Sequence, residues 1–212
     1  MEFAEVVRRR RMTRAYDTAP VDPAVVERLI AQAHRAPSAG NSAGWAFVVL
    51  DTPADVARFW QAQTDAALPG GSPDAWLTGM MRAPVVVVPC SRRSVYLDRY
   101  AGADKARAGL GDRDEKQWAM PYWDLDTAMA ALLVLQGATD AGLGSCFFGL
   151  VPGHVDAVKA ALGLTGDDAP HPIGAITIGH PDPARPAARS LRRRTDWRAV
   201  AHRGAYGNGW PS

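Results

Sequence analysis

Ala83-Pro84-Val85-Val86-Val87-Val88-Pro89-Cys90 holds four consecutive β-branched residues between prolines. A strand wetted on one face alternates apolar and polar side chains, so an unbroken run belongs to a strand covered on both faces. Helices are therefore expected on both sides of its sheet. Trp45 to Leu50, Ser145 to Leu150 and Ile173 to Ile178 read as further strands. Asp22 before Pro23 is a helix start, because Asp caps and Pro suits the first turn; Val25, Val26, Leu29, Ile30 and Ala33 then form one apolar face that should stop before Pro37. Further helices are expected near Ala54 to Thr64 and from Pro152 to Leu162, closed by Gly163. From Asp124 to Ala141, Leu125, Ala128, Met129, Leu132, Leu133 and Leu135 leave almost no polar face. That pattern predicts a helix buried on nearly all sides, which in one small domain suggests a subunit interface.

The chain has 212 residues, 47% hydrophobic and 22% charged, a composition suited to one globular domain over residues 1–212. Only Cys90 and Cys146 are present, which excludes a disulfide scaffold or a cysteine-rich zinc site, and Cys146 reads as a small buried residue. The five histidines lack metal-ligand spacing. No apolar run approaches the ~18 residues of a membrane span, so a cytoplasmic protein without membrane contact is expected. Ser-His-Asp order, P-loop and GxGxxG are absent, which removes the usual support for hydrolase, NTPase and Rossmann readings.

The net charge of +2 hides an asymmetry. Of 24 basic residues 21 are Arg, with Arg8, Arg9, Arg10, Arg11 and Arg14 near the start and Arg185, Arg189, Arg192, Arg193, Arg194, Arg198 and Arg203 near the end. Phe3, Val6 and Val7 form a helical stripe, which puts the first cluster at or just after a helix end. Guanidinium forks match phosphate oxygens, so phosphate recognition competes with a merely solvated basic surface. Nucleic-acid binding would use the same arginines but calls for a continuous basic face, which Asp112-Arg-Asp-Glu115 interrupts. Pro37-Ser-Ala-Gly-Asn-Ser-Ala-Gly44 is a loop whose small residues let a flat ligand approach, with Ser38 and Asn41 to hydrogen-bond it. Ser91 to Trp123 is charged, aromatic and weakly periodic, as expected of an excursion over a site. Residues 180–212 read as an extended tail.

RRMTRAY at Arg10 to Tyr16, RAPSAGN before a Trp-led strand, the apolar central helix, GLGSCFFG and an arginine-bearing tail together resemble the FMN-dependent nitroreductase superfamily across nearly the whole chain. The resemblance implies an α+β fold: a mixed sheet flanked by helices, in an intertwined homodimer with two FMN at its interface. It assigns Arg10, Arg11, Arg14 and the backbone of Met12, where Ser is usual, to the FMN phosphate. Arg192 and Arg194 match a second phosphate-binding pair in the tail. Pro37, Ser38, Ala39 and Asn41 match a loop lying along the isoalloxazine from the partner subunit, with Ala43-Gly44 where Gln-Pro is common. Phe148 and Gly149 match a strand end whose N–H groups face flavin N5. Trp118, Tyr122 and Trp123 are expected to wall the substrate side or to pack the dimer.

The implied activity is a ping-pong transfer of electrons from NADH or NADPH through FMN to a small electron-poor acceptor such as a nitroaromatic or quinone. No side-chain acid or base is required, because the cofactor carries the chemistry. Flavin-dependent dehydrogenation, reductive dehalogenation and flavin fragmentation are alternatives on the same fold, and a basic nucleic-acid-binding dimer is the alternative of another class.

Overall fold

The computed structural model describes residues 1–64, 73–185 and 196–210. It opens with two helices, α1 (Phe3–Arg9) and α2 (Pro23–Ala33), followed by strand β1 (Trp45–Leu50). Next come α3 (Pro53–Thr64), α4 (Ala75–Met81), β2 (Val85–Ser91) and α5 (Arg93–Tyr100). The long helix α6 (Tyr122–Asp140) precedes β3 (Gly144–Phe148), α7 (Val155–Ala161), β4 (His171–Pro172) and β5 (Ala175–Gly179). Asp22 caps α2 as expected, accepting the Ala24 N–H at 2.9 Å.

The main strands lie in the order β1-β2-β5-β3, with short β4 beside β2. Among the described residues all the strand pairs are antiparallel, and outside the named strands an isolated parallel bridge joins Met12 to Ser145. Every residue of β2 is buried. Val85 and Val87 pack with Ile176 and Ile178 of β5 against α2 and α6. Val86, Val88 and Cys90 face the other way, into a core with Phe59 and Trp60 of α3, Met80 of α4 and Val158 of α7. The two-sided cover erases the apolar–polar alternation, although the strands are antiparallel. Each such Val or Ile contributes about 1.5–3 kcal/mol by leaving water.

Three expectations are corrected or refined. α6 is not buried all round within one chain: Tyr122, Leu125, Met129 and Leu132 are exposed, while Ala130, Ala131, Val134, Leu135 and Ala138 are buried. The excursion is partly helical, since α5 and two 3-10 turns, Ala103–Ala108 and Glu115–Gln117, fall inside it. Of the described parts of the tail, 180–185 bridges back to Tyr16 through Pro181, and 196–210 is turn-rich, with a 3-10 turn at Trp197–Ala199 and a bridge from His202 to Gly209.

Candidate functional site

The first arginine cluster is divided by its neighbours. Arg8 and Arg9 lie one turn beyond Glu5 on α1, and both guanidiniums bind its carboxylate, Arg8 at 2.6 and 2.7 Å. Hydrogen bonds from Arg8 and Arg9 hold the Glu5 carboxyl down at about 2. Arg10 caps the helix C-terminus, and Arg11 turns back onto the Arg8 and Arg10 carbonyls at 2.7 and 2.9 Å. Among the described residues, no carboxylate pairs with Arg10, Arg11 or Arg14.

Beyond the helix the chain runs beside β3. The Thr13 N–H donates to the Ser145 carbonyl at 2.9 Å. Gly144 permits the approach, because a Cβ there would stand 2.7 Å from Thr13 Oγ1. Tyr16, fully buried, donates to the Thr13 carbonyl at 2.7 Å and also meets Thr177 Oγ1 at 2.9 Å, so its ring locks the segment to the sheet. The Asp17 N–H binds the His180 carbonyl and the Asp182 N–H binds the Ala15 carbonyl, so the tail leaves from beside this segment. Arg192 and Arg194 lie outside the described residues.

Two buried polar atoms here have no partner among the described residues: Arg10 Nη1 and Ser145 Oγ. Leaving a charged donor buried and unpaired is costly, and an anion would satisfy it. Burial pushes the Cys146 thiol up against the pull of the nearby Arg14 and Arg10 guanidiniums, so Cys146 is the buried neutral residue expected. The residues present therefore fit a phosphate-bearing group.

The second candidate element is the loop before β1. Ala39–Asn41 forms a 3-10 turn, and Gly40, Asn41 and Ala43 have φ of 62°, 55° and 48°. For Ala43 this left-handed conformation costs roughly 1–2 kcal/mol, so the surroundings must hold it. The Ser38 hydroxyl accepts the Ala43 N–H at 2.8 Å, and the Ser42 hydroxyl donates to the Ala39 carbonyl at 2.7 Å. Trp45 Nε1–H donates to His34 Nδ1 at 3.2 Å, tying the two ends of the loop together. An open cleft of about 500 Å³ adjoins it, lined by His34, Arg35, Pro37, Asn41 and Trp45 among others.

From the inner side the loop is gripped by residues that the sequence reading passed over. Asp126, 3% exposed on α6, accepts the Ala39 N–H and the Tyr96 hydroxyl at 2.8 Å each. Arg99, held by Asp104 at 2.6 and 2.9 Å, donates to the Gly40 carbonyl at 3.0 Å. Asp126 left a signal in the sequence, a carboxylate inside an otherwise apolar helical stretch, whereas Arg99 on polar α5 left none. Trp118, Tyr122 and Trp123 do come together: Trp118 packs edge-on against both, and against Tyr96 and Tyr100. Trp118 is buried, and its indole N–H has no partner among the described residues.

Phe148 stacks on Trp60 at 5.5 Å and so turns its ring into the core, leaving its backbone and exposed Gly149 as the parts that can meet a ligand. The loop and the arginine segment lie apart. Trp45 is level with Ser91 at one edge strand, whereas Ser145 is level with Val85 at the other. At 3.4 Å per residue and 4.8 Å per strand they stand roughly 25 Å apart within one chain.

An α+β sheet covered on both faces thus carries, at one edge, an Arg10 Nη1 buried without a partner among the described residues and, before the opposite edge strand, a separate small-residue loop. The family model described as Nitroreductase family matches residues 7–180, and the chain belongs to that family of oxidoreductases. Two 5,6-dimethylbenzimidazole synthases of Rhodobacter capsulatus are similar to it. One is 32% identical over 130 residues, 57% of this chain and 61% of that protein; the other is 31% identical over 152 residues, 67% and 68%. Among solved structures, NfrA2 of B. megaterium superposes with a TM-score of 0.71 at 18% identity, covering 97% of this chain and 75% of that one. A nitroreductase family protein from Streptococcus pneumoniae TIGR4 gives 0.66 at 21%, covering 95% and 99%. An FMN-dependent nitroreductase from Clostridium difficile R20291 gives 0.59 at 19%, covering 87% and 91%. At these identities the structural likeness carries the fold.

Proposed function

We propose that the chain is an FMN-dependent oxidoreductase that takes electrons from NADH or NADPH and delivers them to a small electron-poor acceptor such as a nitroaromatic or quinone. The observation that carries this reading is Arg10 Nη1, a buried cationic donor without a partner among the described residues, beside Arg14 and Ser145 in a family of oxidoreductases. Arg10, Arg11 and Arg14 would hold the FMN phosphate, with Arg192 and Arg194 of the tail as further candidates and the Met12 backbone beside them. Ser38 and Asn41, with Pro37 and Ala39, would border the isoalloxazine, while the backbone of Phe148 and Gly149 would face its reactive edge. When bound, FMN supplies the site that accepts hydride and passes electrons on. The protein's part is to neutralise the phosphate, orient the ring and shape the acceptor side with Trp118, Tyr122 and Trp123.

The site belongs to a homodimer in this reading. The loop and the arginines of one chain lie too far apart to share one flavin, and the exposed stripe Tyr122, Leu125, Met129 and Leu132 offers an apolar face for a second copy. Purified protein should be yellow or take up FMN, bleach with NADH or NADPH without oxygen, and regain colour with menadione or a nitroaromatic. Absence of flavin absorbance after FMN is added would overturn the reading.

The Rhodobacter relatives favour a second reading, synthesis of 5,6-dimethylbenzimidazole. Its test is mass-spectrometric detection of that product after reduced FMN is incubated with the protein in air.

A further inference from the structure

The 37–44 loop carries three left-handed residues, Gly40, Asn41 and Ala43, and is held from outside itself by two side chains, Asp126 and Arg99. Asp126 is the unusual one. Its carboxylate is 3% exposed and has no cationic partner among the described residues. One oxygen, Oδ2, receives both the Ala39 N–H and the Tyr96 O–H. Burial first, then the bond to Asp126, pushes the Tyr96 phenol up, so the hydroxyl stays a donor throughout the neutral range.

Tyr96 in turn abuts the loop and the aromatic cluster at once. A Cβ at Gly44 would stand 2.4 Å from Tyr96 Cε2, so ring and loop backbone are in direct contact. The same ring lies 6.3 Å from Trp118 and 6.4 Å from Trp123, centroid to centroid. The loop beside the ring and the aromatics on the acceptor side therefore meet at a single carboxylate oxygen.

We infer that Asp126 is a positioning residue, which acts through the Ala39 N–H and the Tyr96 hydroxyl to hold the 37–44 loop in the shape that binds the flavin ring. The inference rests on the FMN reading above. A buried backbone N–H that loses its acceptor is costly, so the Asp126 oxygen that receives the Ala39 N–H ties a strained loop to α6.

The test is FMN affinity, measured by quenching of flavin fluorescence, in the full-length protein and in Asp126→Ala, Asp126→Asn and Tyr96→Phe, with circular-dichroism melting of each as the control. Asp126→Ala should weaken FMN at least tenfold. Asp126→Asn keeps an acceptor for both donors and should stay within threefold of the parent. Tyr96→Phe removes one donor and should fall between, at threefold or more. Parent affinity in Asp126→Ala overturns the inference, as does an Asn variant as weak as Ala at an unchanged melting temperature. If Asp126→Ala does not fold, parent affinity in Tyr96→Phe overturns it instead. Failure of the parent protein to bind FMN would overturn the FMN reading itself, a separate outcome.

Discussion

Arg8 to Arg14 are chemically alike but sit in different surroundings, because Glu5 stands one helical turn before the first two. Arg9 is already partnered and exposed, whereas Arg10 buries an N–H that has no partner among the described residues. Hydrogen bonds to charged groups are worth about 1.5–3 kcal/mol, so Arg10→Ala and Arg14→Ala should each weaken FMN tenfold or more. Arg9→Ala should leave affinity unchanged; flavin fluorescence titration reads all three. The arginines were legible in the sequence, but their division by Glu5, one helical turn before Arg8 and Arg9, was read only from the structure. Asp126 was harder, because its two donors come from segments 87 and 30 residues away. Both cysteines are buried, and burial pushes the Cys90 thiol up to about 12. Neither should react with dithionitrobenzoate at neutral pH until denaturant is added; rapid labelling of native protein would contradict that.

At the scale of elements, periodicity wrote the strands and the long helices clearly because both sheet faces are covered and side chains sort by face. It failed at α5, where Arg93-Ser-Val-Tyr-Leu-Asp-Arg-Tyr100 buries only Tyr96 and so shows almost no apolar stripe. At α6 the all-apolar pattern pointed to a subunit interface, and the stripe of Leu125, Met129 and Leu132 left exposed on the single chain is the face the proposed homodimer would cover. Met129→Glu should accordingly convert the proposed dimer to a monomer by sedimentation velocity and lower its melting temperature, since association stabilises the folded chain; parent sedimentation would place the interface elsewhere. The contact between the arginine segment and β3 has its own sensitive point. Gly144→Ala would drive a methyl into Thr13, costing about 1–3 kcal/mol in thermal or chemical melting and loosening FMN together with stability.

For the whole molecule, the decisive relation is between the two edges of the sheet. The loop precedes β1 and the arginines border β3, at opposite ends of a four-strand path, so under the proposed function one chain would present two half-sites and complete neither. The motifs marked both candidate segments, and the family resemblance already assigned the loop to the partner subunit's flavin; the distance between them follows from strand order, which packing sets and no local pattern encodes. The proposed two-fold dimer would pair each half with its complement on the other chain. That geometry has a consequence in mixtures. Take one chain carrying Arg10→Ala and Arg14→Ala, and another carrying Gly40→Val, whose added side chain would strike the Tyr100 ring at a left-handed position. Each variant alone should bind FMN poorly. After unfolding and refolding together, random pairing makes about half of the dimers mixed, each with one intact site, so about a quarter of the sites should recover parent affinity. If each site were built within one chain, mixing would restore none, and a flat titration of the refolded mixture would show the two-chain site to be wrong.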